Sequence, residues 1–242
     1  MLKVSNVSFA YDNHQVLENI NLNVKSKEIV SVLGTSGVGK TTLFNLISQT
    51  LQPQTGMIQI DGSSNVKEHI SYMLQKDLLF EHKSVLENIM LPMIIQGDSQ
   101  AKEKALSLLE QVNLEKWANF YPKALSGGMR QRIGFLRTAA MDREWILLDE
   151  AFSALDARTR RKMQKWFIDY KNQRNWSTLL ITHDIEEAIL LSDRIYVLSG
   201  QPGRIILELS IKLPKMDADE IIFDKDFLSY KRELLVSINK TN

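Results

Sequence analysis

The fold is decided by residues 28–47, Glu28-Ile-Val-Ser-Val-Leu-Gly-Thr-Ser-Gly-Val-Gly-Lys-Thr-Thr-Leu-Phe-Asn-Leu-Ile47. This stretch opens with an apolar run typical of a buried strand, passes through a glycine-rich loop, and continues as a helix-forming run. A glycine loop between a strand and a helix is the context in which backbone N–H groups hold phosphate. Residues 28–47 therefore predict a nucleotide-binding α/β fold.

The loop itself, residues 34–41, fits the pattern G-x-x-x-x-G-K-[ST]. Its glycines bend freely and lack a Cβ, so phosphate oxygens can approach several backbone N–H groups. A helix that begins near Lys40 adds unpaired N–H donors and about half a positive charge at its N-terminus. Lys40 is then placed to reach the β- and γ-phosphates, and the Thr41 hydroxyl to ligate Mg²⁺. A chance match has odds of about 1 in 100, so we expect a nucleoside triphosphate to bind here.

The 242 residues are 44% hydrophobic and 24% charged, and they contain no cysteine. This length suits one large domain or two small ones with a substantial core. The net charge of +1 gives no attraction to nucleic acid, and the lack of cysteine excludes disulfides and a thiolate zinc site. The longest apolar run, 89–95, is far shorter than the ~20 residues that span a bilayer. Because the first residues also lack a secretion signal, the sequence predicts a soluble, cytoplasmic protein.

Strand-like and helix-like segments alternate along the rest of the chain. Strands are predicted at 57–60, 70–74, 145–148, 177–182 and 194–199. Because helical segments separate most of them, we predict a P-loop NTPase core with a mainly parallel sheet and helix cover. An antiparallel β opening precedes this core, and an inserted helical subdomain interrupts it.

Two helix starts and the C-terminal tail complete the prediction. Asp98 or Ser99 is expected to cap one helix, and Asp156 another. The tail from Lys212 is charge-balanced and has an apolar face. That face is formed by Phe227, Leu234, Leu235 and Ile238. It serves either for docking on the core or for contact with a partner, and docking is the favoured interpretation.

A second chemical site is predicted at the end of the strand 145–148, which Asp149 and Glu150 follow. Open α/β sheets place their ligands at the carboxyl ends of strands. Hydrolysis of a nucleotide needs one acid for the shell of a Mg²⁺ ion and another that deprotonates the attacking water. Asp149 suits the metal, and Glu150 suits the base. A solvated acidic pair is the ordinary alternative, but the presence of a phosphate loop favours the catalytic interpretation.

Three further residues carry weaker signals. His183 follows the predicted strand 177–182 and is either a γ-phosphate contact or an ordinary loop residue. Gln75 is either a neutral Mg²⁺ ligand or a plain surface residue. Tyr11 either stacks on an adenine ring or alternates with other residues along a strand. The residues alone leave each pair of alternatives open.

A family resemblance is carried by Leu125-Ser126-Gly127-Gly128-Met129-Arg130-Gln131-Arg132. With the phosphate loop before it and Ile146-Leu-Leu-Asp-Glu150 after it, the chain resembles the nucleotide-binding subunit of an ATP-binding cassette (ABC) transporter along essentially its whole length. The resemblance implies an ATPase with ATP and Mg²⁺ as cofactors. It implies one ABC ATPase domain over 1–242, with an α/β core at 1–79 and 143–211, a helical signature subdomain at 80–142, and a C-terminal tail at 212–242.

The resemblance also assigns roles to single residues. The implied catalytic residues are Glu150, His183 and Lys40, and the implied Mg²⁺ ligands are Thr41, Gln75 and Asp149. The implied ATP-binding residues are Tyr11, Gly34, Thr35, Ser36, Gly37, Val38, Gly39, Lys40, Thr41, Thr42, Gln75, Ser126, Gly127, Gly128 and Asp149. Three features depart from the family pattern: Met129 stands where glutamine is commonest, Ala151 replaces a frequent proline, and no proline precedes Trp145. None of these departures removes a catalytic group.

In such a subunit each ATP is held between the Walker A loop of one copy, 34–42, and the signature of another, 125–131, so the resemblance implies a dimer, most simply a homodimer. It also implies permease subunits in the membrane, a substrate-binding protein outside the cell, no nucleic acid, and a peripheral location on the cytoplasmic face of the membrane. The signature, 184–188 and 198–205 are together similar to the importers of nitrate, sulfonate, taurine and thiamine-precursor pyrimidines. That similarity implies the import of a small organic or inorganic anion or a thiamine precursor.

Two other functions compete with this interpretation. A soluble cassette ATPase that acts on ribosomes or DNA usually carries two cassettes or long insertions, and the balanced charge argues against a nucleic-acid surface. A regulatory subunit that binds nucleotide without turnover is disfavoured by Glu150 and His183. The transported molecule contacts other subunits, so no residue of this chain identifies it.

Overall fold

The computed structural model describes residues 1–213 and 218–239. The chain divides into two compact units, unit 1 with residues 1–70 and 176–242, and unit 2 with residues 71–175. In chain order the strands and helices are β1 (Leu2–Tyr11), β2 (His14–Val24), β3 (Ile29–Leu33), α1 (Lys40–Ile47), β4 (Thr55–Ile60), β5 (Ile70–Met73), α2 (Val85–Ile95), α3 (Ala101–Gln111), α4 (Gly127–Ala139), β6 (Trp145–Asp149), α5 (Ala157–Arg174), β7 (Ser177–Thr182), α6 (Ile185–Leu191), β8 (Arg194–Ser199), β9 (Arg204–Ser210), α7 (Ala218–Ile221) and α8 (Lys225–Asn239).

Unit 1 opens with an antiparallel sheet in the strand order β2-β1-β4. Along β1 the buried residues are Leu2, Val4, Val7 and Phe9, and the residues between them are more exposed. This alternation arises because successive side chains of a strand point to opposite faces of the sheet, and a register shift between Val4 and Val7 adds one residue to it. The predicted antiparallel opening is confirmed.

The second sheet of unit 1 has the strand order β7-β3-β8-β9. β3 pairs in parallel with both β7 and β8, whereas β9 is antiparallel to β8. Every residue of β3, β7 and β8 is buried, as expected for parallel strands that are covered on both faces. In the register of β3 and β7, Leu33 pairs with Thr182. The residues that follow these two strands therefore leave the sheet at the same edge.

The C-terminal helix α8 packs on unit 1 through one face. Phe227 and Leu234 are buried in a core cluster with residues of β3 and β8, and Ile238 is partly buried against it. Docking of the tail is confirmed at these three positions, but the prediction for Leu235 is wrong because its side chain is exposed. Leu235 follows Leu234 directly and so lies about 100° around the helix from it. The parts of the predicted tail at 214–217 and 240–242 lie outside the described residues.

Unit 2 begins inside β5 and contains α2, α3, α4, β6 and α5. The start of α2 has a capping box: the Glu87 backbone N–H donates to Ser84 Oγ at 3.2 Å, and the Ser84 N–H donates to the Glu87 carboxylate at 2.7 Å. This pattern, Ser-x-x-Glu before an apolar run, is visible in the sequence. It fixes the start of a helix that also contains Pro92.

One predicted helix cap is wrong and one is confirmed. α3 begins after Gln100 instead of after Asp98 or Ser99. The Asp98 carboxylate accepts hydrogen bonds from the Gln100 N–H at 2.9 Å and from Lys104 Nζ at 2.6 Å, so it closes a turn ahead of the helix. Asp156 caps α5 as predicted and accepts from the Thr159 N–H at 3.0 Å.

Strands and helices alternate through the chain, and α2, α3 and α4 stand between β5 and β6. The predicted α/β class with a mainly parallel sheet, an antiparallel opening and inserted helices is thus confirmed. The functional boundaries at 1–79, 80–142 and 143–211 stay predictions. In the part of the chain that the structure describes, no helix is both long and apolar enough to span a membrane.

Arg194 forms a hydrogen-bond network in unit 1 that joins several strands. Its guanidinium group donates to both carboxylate oxygens of Glu28 at 3.0 Å, to Glu208 Oε1 at 2.6 Å, to the Tyr196 hydroxyl at 3.0 Å, and to the backbone oxygen of Asn23 at 2.7 Å. The side chains of Arg194 and Glu28 are only 10% and 12% exposed. The network therefore joins β8, β9 and the end of β2 through one buried charge.

Replacing Arg194 with methionine is expected to lower the free energy of unfolding by about 3 kcal/mol, because the mostly buried Glu28 carboxylate would lose its cationic partner. Urea denaturation measures this loss. Arg204→Met is the matched control, since Arg204 also pairs with a glutamate, Glu18, but the two side chains are 60% and 41% exposed. Its loss should stay under about 1 kcal/mol, and equal losses for both variants would contradict the role of the buried network.

Candidate functional site

The predicted phosphate loop occupies residues 34–39 between β3 and α1, in unit 1. Gly37 and Gly39 have φ angles of 83° and 102°, a left-handed region that glycine enters without strain. A Cβ added to Gly34 would lie 2.5 Å from the carbonyl oxygen of Leu198. The glycines of the pattern are therefore required by both conformation and space.

Lys40 is held inside the curve of this loop. Its side chain is 6% exposed, and Nζ donates to the carbonyl oxygens of Gly34 at 2.8 Å and Thr35 at 2.9 Å. α1 starts at Lys40 after Gly39, with no acidic residue in its first turn and no side chain capping it. Its N-terminal N–H groups and positive dipole end are thus available to an anion at the loop.

The remaining predicted residues of the loop differ in exposure. Thr35, Ser36, Gly37 and Thr41 are exposed, Thr42 and Gly39 are half-buried, and Val38 is buried. A loop with an exposed outer side and a buried ammonium group can accept a triphosphate from solvent without opening its core.

Unit 1 also contains two of the weakly predicted residues. His183 is exposed and follows Thr182, just as Gly34 follows Leu33 in the neighbouring paired strand, so both residues leave the sheet at one edge. Tyr11 ends β1, is 47% exposed, and packs edge-on against Phe9 with ring centroids 4.9 Å apart. Since much of its ring is accessible, Tyr11 can offer a surface for stacking.

Unit 2 brings together the two acids and Gln75. Asp149 is the buried last residue of β6, and Glu150 follows it half-buried. Gln75 Nε2 donates to the Glu150 carboxylate at 3.3 Å. The hydroxyl of Tyr72 donates to Asp149 Oδ2 at 3.4 Å, and burial together with the Asp149 charge raises the pKa of Tyr72. Tyr72 therefore stays protonated and donates to Asp149.

The backbone of Glu150 is left-handed, with φ 50°, which costs a non-glycine residue about 1 kcal/mol. Three hydrogen bonds to the Glu150 carbonyl oxygen offset this cost, from the Ser153 N–H at 3.1 Å, Ser153 Oγ at 2.9 Å and Gln131 Nε2 at 3.2 Å. Gln131 is buried, and its Oε1 accepts from the Ala154 N–H at 3.1 Å. The direction of the Glu150 side chain is thus set by bonds to its own backbone.

The predicted signature helix is α4, which begins at Gly127 with Ser126 as its N-cap. The Met129 N–H donates to Ser126 Oγ at 3.4 Å. Ser126 and Gly127 are exposed, and no atom lies within 4 Å of a Cβ added to Gly127. The positive end of α4 therefore faces outward from unit 2, where another molecule can reach it.

Two arginines of α4 hold residues 77–81, a contact that the sequence did not predict. Arg130 donates to both carboxylate oxygens of Asp77 at 3.0 and 2.9 Å and pairs with Glu81 at 2.8 Å. Arg137 donates to the backbone oxygens of Asp77 at 2.7 Å and Leu78 at 2.8 Å. Burial alone would raise the pKa of Asp77, but the hydrogen bonds from Arg130 outweigh it and hold that pKa below its ordinary value.

Beside these contacts lies a cavity of about 450 Å³ in unit 2, with Gln75, Leu79, Gly127 and Gln131 in its wall. Of the apolar residues that follow Gln75, Leu78 and Phe80 are exposed, Leu79 is buried, and Leu86 is half-buried. The residues after Gln75 thus include apolar side chains that no part of unit 2 covers completely.

A family model described as ABC transporter matches residues 17–153, more than half of the chain. This chain belongs to the ABC transporter family. The predicted identification as an ATP-binding, ATP-hydrolysing ABC cassette is confirmed at the level of the family.

Curated ABC relatives cover almost the whole chain. It is 41% identical to the formylaminopyrimidine import ATP-binding protein ThiZ of Halalkalibacterium halodurans, over 87% of this chain and 84% of the relative. It is 36% identical to the nitrate import ATP-binding protein NrtD of Synechocystis sp., over 90% and 86%. A solved ABC cassette, a dimer in a post-hydrolysis state with ADP and Pi, aligns with a TM-score of 0.79 at 30% identity, covering 88% of this chain and 99% of that one.

Unit 1 of this ABC cassette fits the phosphates of ATP by its own geometry. Gly34, at the start of the loop, lies so close to the Leu198 oxygen that a Cβ would not fit there. The Lys40 ammonium group lies within the loop, and no side chain caps the N-terminus of α1. Each of these features favours an anion at the loop. The donor chemistry of unit 2, two carboxylates and a glutamine amide, suits Mg²⁺ and a water molecule.

Proposed function

We propose that this chain is the ATP-hydrolysing subunit of an ABC importer and that it works as a homodimer on separate permease subunits. The observation that supports hydrolysis, in addition to binding, is the pair of acids Asp149 and Glu150 at the end of β6. The Gln75 amide nitrogen lies 3.3 Å from the Glu150 carboxylate. A subunit that bound nucleotide without hydrolysing it would need Asp149 as a Mg²⁺ ligand, but it would not need the half-buried Glu150 carboxylate beside it. The experiment that tests the function is release of phosphate from ATP by the assembled complex.

In this function the phosphate loop binds the triphosphate. The backbone N–H groups of 34–42 and the N-terminus of α1 hold the phosphate oxygens, and Lys40 turns its ammonium from the Gly34 and Thr35 carbonyls toward the β- and γ-phosphates. Thr41, Gln75 and Asp149 would hold Mg²⁺, which supplies neutralisation of the phosphate charge. The Tyr11 ring stacks on the adenine.

The chemical step is an in-line attack of water on the γ-phosphorus. Glu150 accepts the proton of the attacking water, the bond from the γ-phosphorus to the bridging oxygen breaks, and ADP leaves with that oxygen. Gln75 holds the Glu150 carboxylate by its amide, and the backbone bonds from Ser153 and Gln131 keep that residue in its left-handed conformation. His183, at a strand end of unit 1, orients the γ-phosphate by a hydrogen bond.

The second copy contributes the signature. The exposed Ser126 and Gly127 and the half-buried Gly128 form the N-terminus of α4, whose N–H groups and dipole suit the γ-phosphate of an ATP bound to another copy. The support is the outward position of this helix end together with the dimeric ABC cassette that aligns with the chain. Closure then completes the site, and removal of one such donor typically costs about 10²–10³ in rate.

The transport role follows from the relatives, whose names are those of import ATP-binding proteins for formylaminopyrimidine and nitrate. We assign this chain a permease in the membrane, a substrate-binding protein outside it, and a peripheral location on the cytoplasmic face. The exposed apolar residues Leu78 and Phe80 after Gln75 suit a short permease helix. The cargo class is a small organic or inorganic anion or a thiamine precursor, and no nucleic acid takes part.

A mixing experiment tests the shared site. Lys40→Ala should disable the phosphate loop, and Gly127→Asp should repel the γ-phosphate without disturbing its own subunit, because a Cβ at Gly127 meets no atom within 4 Å. Each variant alone is expected to be inactive. An equal mixture should recover about a quarter of the wild-type ATPase rate, since half the dimers are mixed and each of these has one intact site.

The control for this mixture is a chain with both substitutions, which should stay inactive alone and when mixed with either single variant. Exchange of subunits is followed by light scattering and by a tag on one variant. If mixed dimers form and no activity returns, the signature does not serve the ATP of the other copy.

Tyr11→Ala is expected to lower ATP affinity by about 1–3 kcal/mol, the contribution of an aromatic–base stack. Titration calorimetry with ATP measures the change. Tyr121→Ala is the matched control, because Tyr121 is 46% exposed and lies in unit 2. Its ATP affinity should equal that of the wild type. Unchanged ATP affinity in Tyr11→Ala would show that Tyr11 is an ordinary strand residue that does not stack on the adenine.

A further inference from the structure

Residues 198–205, Leu-Ser-Gly-Gln-Pro-Gly-Arg-Ile, form the end of β8, the turn at 200–203 and the start of β9, and they have no part in the function proposed above. This segment touches the phosphate loop at two points of unit 1. A Cβ at Gly34 would lie 2.5 Å from the Leu198 oxygen, and a Cβ at Gly203 would lie 2.4 Å from the Val38 oxygen. Real Cβ atoms do not approach oxygen so closely. The backbone of Gly34 therefore contacts the backbone of Leu198 directly, and the backbone of Gly203 contacts that of Val38.

Gly203 is also bonded to β2. Its N–H donates to the Val16 oxygen at 2.8 Å, and its own oxygen accepts from the Glu18 N–H at 3.0 Å. These two bonds make a short parallel bridge between the turn and β2. β2 pairs with β1, and the pair closes at Tyr11 and His14. The turn therefore connects the loop with the β1–β2 ribbon, the part of the three-stranded sheet that carries Tyr11.

Space explains why glycine stands at position 203. Gly203 is buried and its backbone is not left-handed, so the Val38 oxygen, and not the backbone conformation, excludes a side chain. On the opposite side of the loop, a Cβ at Gly39 would lie 2.8 Å from Leu17 Cδ2, an atom at the end of a flexible side chain. The tightest contact is therefore the one between Gly203 and the Val38 backbone oxygen.

We infer that Gly203 is a positioning residue that sets the spacing between the phosphate loop and the β1–β2 ribbon. This inference rests on the proposed binding of ATP between that loop and Tyr11. The loop is fixed by the buried strand β3 and by α1. The turn begins at the end of β8, which pairs with β3, and its far end at Gly203 is fixed to β2 by two hydrogen bonds. A methyl group at 203 therefore moves turn and ribbon together away from the loop. The triphosphate keeps its contacts, and the adenine loses the Tyr11 ring, because binding both ends of one ligand requires the correct spacing.

The test compares ATP with inorganic tripolyphosphate, each with Mg²⁺, by titration calorimetry on Gly203→Ala. ATP affinity is expected to fall about tenfold, within the range of a lost base stack, while tripolyphosphate affinity changes less than about twofold. In a Tyr11→Ala background the second substitution should have no further effect on ATP, since it acts through the ring. Equal losses for both ligands, no loss for either, or additive losses in the double variant would overturn the inference.

Gly62→Ala is the control within unit 1. Gly62 has φ 83°, so alanine there strains the backbone, but its Cβ would meet no atom within 4 Å. Both affinities should match the wild type. A wild-type protein that binds ATP no better than tripolyphosphate would instead contradict the proposed adenine contact itself, a result distinct from a failure of the Gly203 role.

A measurement on the wild type covers the case in which Gly203→Ala does not fold. Bound ATP ties the ribbon to the loop, so it should slow hydrogen exchange at the amides of Glu18 and Gly203, which bond across the ribbon and the turn. Tripolyphosphate should leave their exchange unchanged. Equal slowing by both ligands, or by neither, would contradict the inference.

Discussion

Lys40→Ala is expected to lower ATP affinity by at least ~100-fold, the largest binding defect that a single substitution in this chain should cause. Two charge-assisted hydrogen bonds to phosphate are lost, each contributing about 1.5–3 kcal/mol. The ammonium is already inside the loop, bonded to the Gly34 and Thr35 carbonyls, so it needs only to turn toward the ligand. Titration calorimetry with ATP measures the loss.

A second variant at position 40 separates the effect of the Lys40 charge on ATP affinity from the effect of its aliphatic stem. Lys40→Met keeps most of the aliphatic stem that fills the loop, and it should bind ATP as poorly as the alanine variant. Lys116→Ala removes an exposed lysine of unit 2 and should leave ATP affinity unchanged. Wild-type affinity in Lys40→Met would show that the stem, and not the charge, matters.

Glu150→Gln is expected to slow ATP hydrolysis about 10³-fold while ATP affinity stays within about threefold of the wild type, because a general base contributes 10²–10⁴ in rate. The two side chains have the same shape, and both residues bear the same backbone cost at φ 50°. Gln75 can still donate to the side-chain oxygen at position 150. With ATP present, the variant should accumulate as a closed dimer in size-exclusion chromatography.

The matched control for this substitution is Glu144→Gln, which removes an exposed carboxylate just before the other end of β6. Its rate and its oligomeric state should match the wild type. A wild-type rate in Glu150→Gln would assign the proton transfer to another group.

Local patterns predicted most of the fold and most of the candidate site. The strand, loop and helix at 28–47, the acid pair after β6 and the Asp156 cap each depend on residues close together in sequence. The cap of α3 was predicted wrongly because the Asp98 carboxylate bonds to the Gln100 N–H and so closes a turn ahead of the helix. Leu235 was predicted wrongly because the apolar face of α8 is one residue narrower than its sequence suggests.

Contacts between distant segments lay beyond sequence reasoning. Arg130 bonds to Asp77 across 53 positions, and Gln131 bonds to the backbone of Glu150 across 19. No pattern in one sequence pairs such residues, since the choice depends on which elements the fold places side by side. The approach of Gly203 to Val38 is similar, although a glycine outside any left-handed turn, next to Pro202, is a signal of close packing.

The ion pair between Arg130 of α4 and Asp77 does not weaken when the pH falls within the physiological range. The depressed pKa of Asp77 means that the ion pair with Arg130 contributes its full stabilisation at every pH above the ordinary aspartate value of 3.8, and that this stabilisation fades only as the pH falls through the still lower folded value. Changes of pH within the physiological range therefore leave the contact between α4 and Asp77 intact.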